Sequence, residues 1–348
     1  MSSSTRGRAL RMTAAGSPIV MDEVAIPQIG DGDVLVNVRA AGICHSDAHY
    51  RSGRSRVEPL PLTLGHEVAG VVDQVGARVT MVQAGDRVCL HYLISCGRCD
   101  QCVRGNEQFC QTGSMLGHFR DGGWADYIVV PERNAVPLPP EISFEHGAAL
   151  MCSAATSFHA LRRSRLRADE TIAIFGTGGL GMAAVQLARG FGASVIFAID
   201  IDESKLQNAA EMGAIPVNAA LVDPVQALRD HTNGAGVDVA LELIGLPITM
   251  QQAVRSLAVH GRAVLAGLAS EPLQVDTYRD LLGREAEIIG VNDHLLEELP
   301  LLLDLARRGS LDMSRIVKRT VQPDAAVVNG VLDELDRFSA PERTVIVF

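Results

Sequence analysis

The sequence predicts an α/β chain built in two parts, a mostly β region followed by a doubly wound parallel sheet. Three observations carry this. Up to about residue 140 the apolar residues come in short alternating runs cut by Gly and Pro, as strands joined by tight turns do. From Ser143 onward strand and helix patterns alternate, which implies a parallel sheet with crossover helices. The chain has 348 residues, 47% of them hydrophobic, enough for two cores.

The elements follow in order. Val34-Leu35-Val36-Asn37-Val38 is a strand pattern bounded upstream by Pro27, Gly30 and Gly32, and Val68 to Val75 and Tyr127-Ile128-Val129-Val130 continue it. Val136-Pro137-Leu138-Pro139-Pro140 reads as a surface connector. Ser143 is a candidate helix cap. Beyond it, strands are expected over 171–175, 194–199, 237–243 and 263–268, and helices over 180–189, 203–212 and 250–258. Helical patterns at 297–308 and 325–338 and a last strand at 344–348 complete the reading.

Composition excludes several classes. The charge is -10, from 31 basic and 41 acidic residues, with no basic block, which argues against a nucleic-acid partner. Met1 to Met12 carries Arg6 and Arg8 but no apolar stretch follows, so no signal peptide is expected. The apolar run near the C-terminus is broken by Glu297, Glu298, Pro300 and Asp304, so no membrane span is expected. There are 7 cysteines, an odd number with four close together. That reads as metal binding in a reducing cytoplasm rather than as disulfides.

Cys96, Cys99, Cys102 and Cys110 form C-x2-C-x2-C-x7-C. Residues three apart in a turn can direct sulfurs to one tetrahedral ion at about 2.3 Å. Gly97 and Gly105 let the loop curl. Four thiolates also suit an iron–sulfur cluster; zinc is the favoured reading. A closed set of four thiolates leaves no position for substrate, so this zinc is expected to be structural.

A second set centres on Gly42-Ile43-Cys44-His45-Ser46-Asp47-Ala48-His49, which concentrates a thiol, two imidazoles, a hydroxyl and a carboxylate. Cys44 and the His66 of Gly65-His66-Glu67 are candidate zinc ligands. Catalytic zinc takes three protein ligands and keeps one open position, and Cys152 is the candidate third. Asp47 is expected to orient His66, the alternative being a surface turn carboxylate. Cys89, in Arg87-Val88-Cys89-Leu90, is assigned to the core. His45, His91, His118 and His146 read as ordinary polar or core residues.

Gly176-Thr177-Gly178-Gly179-Leu180-Gly181 is G-x-G-x-x-G. It follows an apolar strand and opens an apolar helix, the context in which this motif binds a dinucleotide pyrophosphate. Asp200 ends the next strand pattern. A carboxylate there accepts from ribose hydroxyls and repels a 2′-phosphate, which favours NAD over NADP. The alternative is a cap for the helix at Glu203.

With these motifs in this order, the sequence resembles the medium-chain, zinc-dependent alcohol dehydrogenases, whose zinc signature is matched by Gly65-His66-Glu67-x2-Gly70-x5-Gly76-x2-Val79. The resemblance implies a GroES-like catalytic domain over 1–153 and 289–348, split around a Rossmann domain over 154–288. It implies that Cys44, His66 and Cys152 hold a catalytic zinc, that Glu67 approaches the metal during ligand exchange, and that Ser46 and His49 relay a proton. Asp200 and Lys205 fall where the family holds the adenosine ribose. His45 and Arg343 fall near the pyrophosphate, which for His45 competes with the ordinary reading. Tyr92 falls where an aromatic lines the substrate pocket. The implied reaction interconverts an alcohol and its aldehyde or ketone with NAD(H), with two zinc ions per chain in a homotetramer or homodimer. A polyol substrate, a zinc-independent reductase and a non-catalytic zinc- and cofactor-binding protein are the alternatives. Cys152, where polyol dehydrogenases tend to have a carboxylate, weighs against the first. Cys44, His66 and Cys152 together weigh against the second, and Ser46 with His49 against the third.

Overall fold

The computed structural model describes residues 6–348, so the first five residues of the Met1–Met12 stretch lie outside the described residues. The chain divides into two compact units. The first holds residues up to Cys152 together with Leu295–Arg307 and Val317–Phe348; the second holds Ser153–His294 and Arg308–Ile316. Two stretches expected in the catalytic part, 289–294 and 308–316, therefore pack with the second unit. Side chains fasten the latter: Asn208 Nδ2 donates to the Arg315 carbonyl, and Gln186 exchanges hydrogen bonds with the main chain of Asp312.

Among the described residues, the first unit is built on a seven-stranded sheet. Its order is Ala135–Pro137, Arg87–Leu90, Val68–Val75, Asp33–Ile43, Arg343–Val347 and Val317–Val321, with Tyr127–Pro131 also paired to Asp33–Ile43. Valines, isoleucines and leucines from these strands close a core around Trp124 and Tyr92. The run at 136–140 corrects one expectation. Val136 is buried and pairs with Cys89, so this stretch begins as a strand and not as a connector. It lies at the sheet edge, where Pro137 removes no ladder hydrogen bond from a neighbour. Cys89 is fully buried in Arg87–Leu90, as assigned.

The second unit is a six-stranded parallel sheet in the order Ile215–Asn218, Val195–Asp200, Thr171–Phe175, Val237–Glu242, Leu257–Leu265, Glu287–Gly290. Helices Gly179–Gly190, Glu203–Glu211, Pro224–His231 and Pro247–Arg255 connect its strands. The strand order reverses beside Thr171–Phe175, the position at which such sheets bind ligands. The helix expected over 250–258 runs instead from Pro247 to Arg255. Pro at its first position favours the early start, and Leu257 already belongs to the next strand.

Candidate metal and cofactor sites

Strand register assembles the first site. Asp33–Ile43 runs antiparallel to both Val68–Val75 and Arg343–Val347, with Ala41 opposite Val68 and Ile43 opposite Thr344. Cys44 therefore leaves the sheet at the end where His66 and Glu67 enter it and where Arg343 begins the last strand. Cys152 joins from the helical stretch Leu150–Ala154. One ligand atom from each of Cys44, His66, Glu67 and Cys152 lies within 4.8 Å of the others, and all four residues are buried. The two sulfurs are 4.0 Å apart. Glycines make room: a Cβ on Gly42 would stand 1.9 Å from Glu67 Oε2, and one on Gly65, at φ +92°, 2.1 Å from Trp124 Cδ1. Trp124 Nε1 in turn donates to the Gly42 carbonyl at 3.0 Å.

The donor chemistry fits a divalent cation. Zinc with Zn–S bonds of about 2.3 Å sets ligand sulfurs about 3.8 Å apart in a tetrahedron, close to the spacing here. Both Glu67 oxygens, His66 Nδ1 and Asp47 Oδ1 are buried without a hydrogen-bond partner, an arrangement that is costly unless charge is balanced nearby. His66 Nδ1 lies 3.6 Å from Asp47 Oδ1, which leaves Nε2 as the nitrogen for a metal. Burial pushes the Glu67 carboxyl up to about 7 against the opposing charge of Arg343. The Cys152 thiol, hydrogen-bonded to Cys44, holds Cys44 well below the usual thiol range. Arg343 is itself buried. Its Nη1 lies 3.3 Å from Glu67 Oε1 and donates to the Ile43 carbonyl at 3.0 Å.

Helix His45–Ser52 starts at once after Cys44, whose N–H donates to Asp47 Oδ2 at 2.8 Å. Ser46 Oγ is 3.7 Å from Cys44 Sγ. Ser46 and His49, three residues apart on this helix, share a face. The His49 ring meets the His45 ring edge-on at 4.9 Å, and His45 packs at 4.9 Å on Phe338. Burial, then the neighbouring His45, holds the half-buried His49 below the ordinary histidine range. Arg51 Nη2, 2.7 Å from Asp333 and 2.9 Å from Asp336, anchors the helix to Ala325–Asp336. Tyr92 is buried, its ring edge-on to that of His66 at 5.2 Å.

The four-cysteine loop is a separate centre. One sulfur from each of Cys96, Cys99, Cys102 and Cys110 lies within 4.8 Å of the rest, with close pairs at 3.5, 3.9 and 4.0 Å. None is in a disulfide. Gly97 and Gly105 take φ of +69° and +77°, which turns the loop back on itself. N–H groups of Arg98 and Cys99 lower Cys96 to about 6, whereas burial raises Cys102 to about 11. Like charges this close resist joint ionisation, and a divalent cation removes that resistance.

In the second unit the glycine loop links Thr171–Phe175 to helix Gly179–Gly190. Gly178 is the helix N-cap, and Gly179, Leu180 and Gly181 form the first turn, so their N–H groups face an incoming anion. Gly176 has φ +94°, and a Cβ on Gly181 would lie 1.9 Å from its carbonyl oxygen, so both positions require glycine. Asp200 Oδ2 accepts from Thr177 N at 2.7 Å and Oγ1 at 2.8 Å, and Oδ1 from the N–H of Ile201 and Asp202. The cap of helix Glu203–Glu211 is Asp202, which accepts from the N–H of Ser204 and Lys205. The capping alternative for Asp200 is thus corrected, and Asp200 is tied to the glycine loop itself.

Sequence reasoning missed the Thr177–Asp200 pairing, the Glu67–Arg343 ion pair and the buried contacts of Glu107. Thr177 alone carried a signal, by its place inside the motif. No helix of the described residues is long and apolar enough to cross a membrane.

Residues 30–140 match the alcohol dehydrogenase GroES-like domain, and residues 179–308 match the zinc-binding dehydrogenase domain. The chain is 37% identical to an L-threonine 3-dehydrogenase of Symbiobacterium thermophilum over 82% of each chain. It is 31% identical to an NAD-dependent alcohol dehydrogenase of Sulfurisphaera tokodaii over 98% of this chain and 99% of that one. The crystal structure of a zinc-binding dehydrogenase of Sinorhizobium meliloti bound to NADP superposes with a TM-score of 0.90 at 31% identity, covering 99% of this chain and 100% of that one. The chain belongs to the medium-chain, zinc-dependent alcohol dehydrogenase family.

Proposed function

We propose that this protein interconverts an alcohol and its aldehyde or ketone by hydride transfer with NAD(H). The observation that carries the reading is the buried Cys44, His66, Glu67 and Cys152 set with Ser46 beside it. Cys44, His66 and Cys152 would hold a zinc ion, which would supply Lewis-acid chemistry toward the substrate oxygen. NAD supplies the hydride acceptor, and the protein's part is orientation and electrostatics. Glu67, whose oxygens lack hydrogen-bond partners, stands ready to enter the ligand set during exchange. Arg343 balances the charge of Glu67. Tyr92 walls the substrate pocket. Two zinc ions per chain are proposed, the second on the four cysteines. A screen of alcohols, polyols and L-threonine for NADH absorbance, in both directions, tests the reading; no turnover of any of them would remove it.

Ser46 takes the hydroxyl proton from the substrate and passes it to His49, which exchanges it with water. Its lowered pKa keeps His49 neutral near pH 7, so it can accept a proton. Wild-type oxidation is expected to fall as pH drops through this pKa, which lies below the ordinary 6.5. His49→Gln is expected to slow oxidation about tenfold, less than the 10²–10⁴ typical of general acid–base groups, because water substitutes at the outer end of a relay. The deficit should be largest near and just below neutral pH, and imidazole buffer should restore part of it. Superimposable pH–rate curves for the two proteins would discard the relay.

Cofactor choice is assigned to Asp200. A relative of equal similarity is crystallised with NADP, so family membership alone does not decide it. A 2′-phosphate beside this carboxylate meets like charge at close range. Asp200→Gly also removes the bonds to Thr177, which weakens binding of either cofactor, so the informative quantity is the ratio of the two kcat/KM values. Wild type should prefer NAD, and the variant should narrow that preference by about tenfold or more. A wild-type preference for NADP would overturn the assignment. Helix N-terminal amides at Gly179 to Gly181 hold the pyrophosphate in this reading, with Lys205 near the ribose.

A homodimer or homotetramer is proposed from the second unit. Glu287–Gly290 is an edge strand, Ile288 on it is 36% exposed, and Leu282 and Tyr278 before it are 69% and 73% exposed. Open apolar edges of this kind invite pairing. Light scattering that returned the monomer mass of 37.1 kDa would remove it. The seven free cysteines support a reducing, cytoplasmic setting; fractionation of the source cells, with the protein recovered outside the cytoplasm, would contradict it.

A further inference from the structure

Glu107 lies inside the cysteine loop, three residues before Cys110, and takes no part in the proton or hydride path. It is nevertheless buried, 9% exposed, and four residues from three segments converge on it. Oε2 accepts from Ser95 Oγ at 3.2 Å and from Arg133 Nη2 at 2.8 Å. Oε1 accepts from the Leu296 N–H at 2.6 Å and faces His91 Nε2 at 3.6 Å. Burial opposes its ionisation, but these donors and the charges of His91 and Arg133 prevail and hold it down at about 2.

The segment after His91 is clamped as well. Asn134 Nδ2 donates to the carbonyls of His91 at 2.7 Å and Leu93 at 2.9 Å. The His91 N–H donates to the Asn134 carbonyl, and the Tyr92 carbonyl accepts from the Leu116 N–H at 3.0 Å. Between these clamps stands Tyr92, with its ring on His66. Its carbonyl is held by Leu116, the main chain on either side of it by Asn134, and the side chain of its neighbour His91 faces Glu107.

We propose that Glu107 is a positioning residue for Tyr92: by fixing the His91 ring against the cysteine loop, Arg133 and Leu296, its carboxylate sets the aromatic wall beside His66 and so the substrate selectivity. The proposal rests on the alcohol dehydrogenase reading for the meaning of selectivity, though not for the coupling itself. A carboxylate is needed because it accepts from three donors at once, sets a negative charge 3.6 Å from the His91 ring and carries no donor of its own. A glutamine would turn an NH2 group towards two of those donors and leave one oxygen to serve the rest.

The test uses the full-length, metal-loaded protein labelled with fluorotyrosine. The chain has four tyrosines, so the fluorine spectrum is simple, and Tyr92→Phe assigns the Tyr92 resonance. In Glu107→Gln this resonance is expected to move. The KM for alcohol is expected to rise about tenfold with kcat and the KM for NAD each within about twofold of wild type. The ratio of kcat/KM between an unbranched and a branched alcohol should change by about threefold or more. Glu107→Asp should recover part of each change. An unmoved Tyr92 resonance, or an unchanged selectivity ratio with lowered thermal stability alone, overturns the proposal and leaves Glu107 a support of the cysteine loop. Should Glu107→Gln fail to fold, Glu107→Asp decides: it keeps the charge but draws it back from His91, so a displaced Tyr92 resonance upholds the coupling and an unmoved one refutes it. A wild-type protein that turns over no alcohol would instead strike at the functional reading, and the resonance experiment would still stand.

Discussion

Cys44→Ser is expected to lower turnover by on the order of 10³-fold or more while the fold stays intact. The thiolate is the anionic ligand at this position, and a serine hydroxyl has far too high a pKa to replace it. The remaining sulfur, Cys152, is already one of the three proposed ligands, so it cannot also fill the place left by Cys44. Stability should hardly suffer. Cys44 is the N-cap of helix His45–Ser52, serine is a better cap than cysteine, and the N–H bond to Asp47 survives. Elemental analysis should fall from two zinc ions per chain to one. A variant that kept both ions, or kept most of its turnover, would remove Cys44 from the ligand set.

Cys99→Ser is expected to act in the opposite sense, on stability far more than on chemistry. The loop from Cys96 to Cys110 has little core of its own: its cysteines are partly exposed, and Val103 and Phe109 are 73% and 55% exposed. Metal binding there is folding energy, and its loss is expected to lower Tm by on the order of 10 °C. Folded variant should still oxidise alcohol at a rate near wild type. A chelator strong enough to strip the loop should lower the wild-type Tm to that of the variant. A Tm unaffected by either treatment would show that the four thiols hold no structural ion.

Much of this was legible in the sequence because the signals were local. The four cysteines announce themselves by spacing alone. Thr171–Phe175 and Val68–Val75 are apolar runs whose limits the structure reproduces, and the glycine loop sits between a strand and a helix as the motif requires. The strands Ile215–Asn218 and Glu287–Gly290 were missed because both are sheet edges. An edge need not be apolar: the first carries Pro216 and Asn218, the second starts at Glu287 and ends at Gly290. What sequence cannot display is contact between distant segments. Arg343 reads as an isolated basic residue near the end of the chain, and only strand pairing brings it against Glu67. Glu107 reads as a polar residue in a loop until Leu296, Arg133 and His91 close over it.

The pairing that completes the metal set also has a consequence for how the chain folds. Arg343 donates to the Ile43 carbonyl across 300 residues, and the whole second unit lies between these two strands in the sequence. The free-energy cost of closing so long a loop grows only logarithmically with its length, but long-range pairing slows folding steeply. The sheet of the second unit, by contrast, runs through one continuous stretch from Thr171 to Gly290. During refolding the glycine loop and Asp200 can therefore be in place while Cys44 and Glu67 still lack their partner strand, so the ability to bind dinucleotide should return ahead of the ability to turn over alcohol.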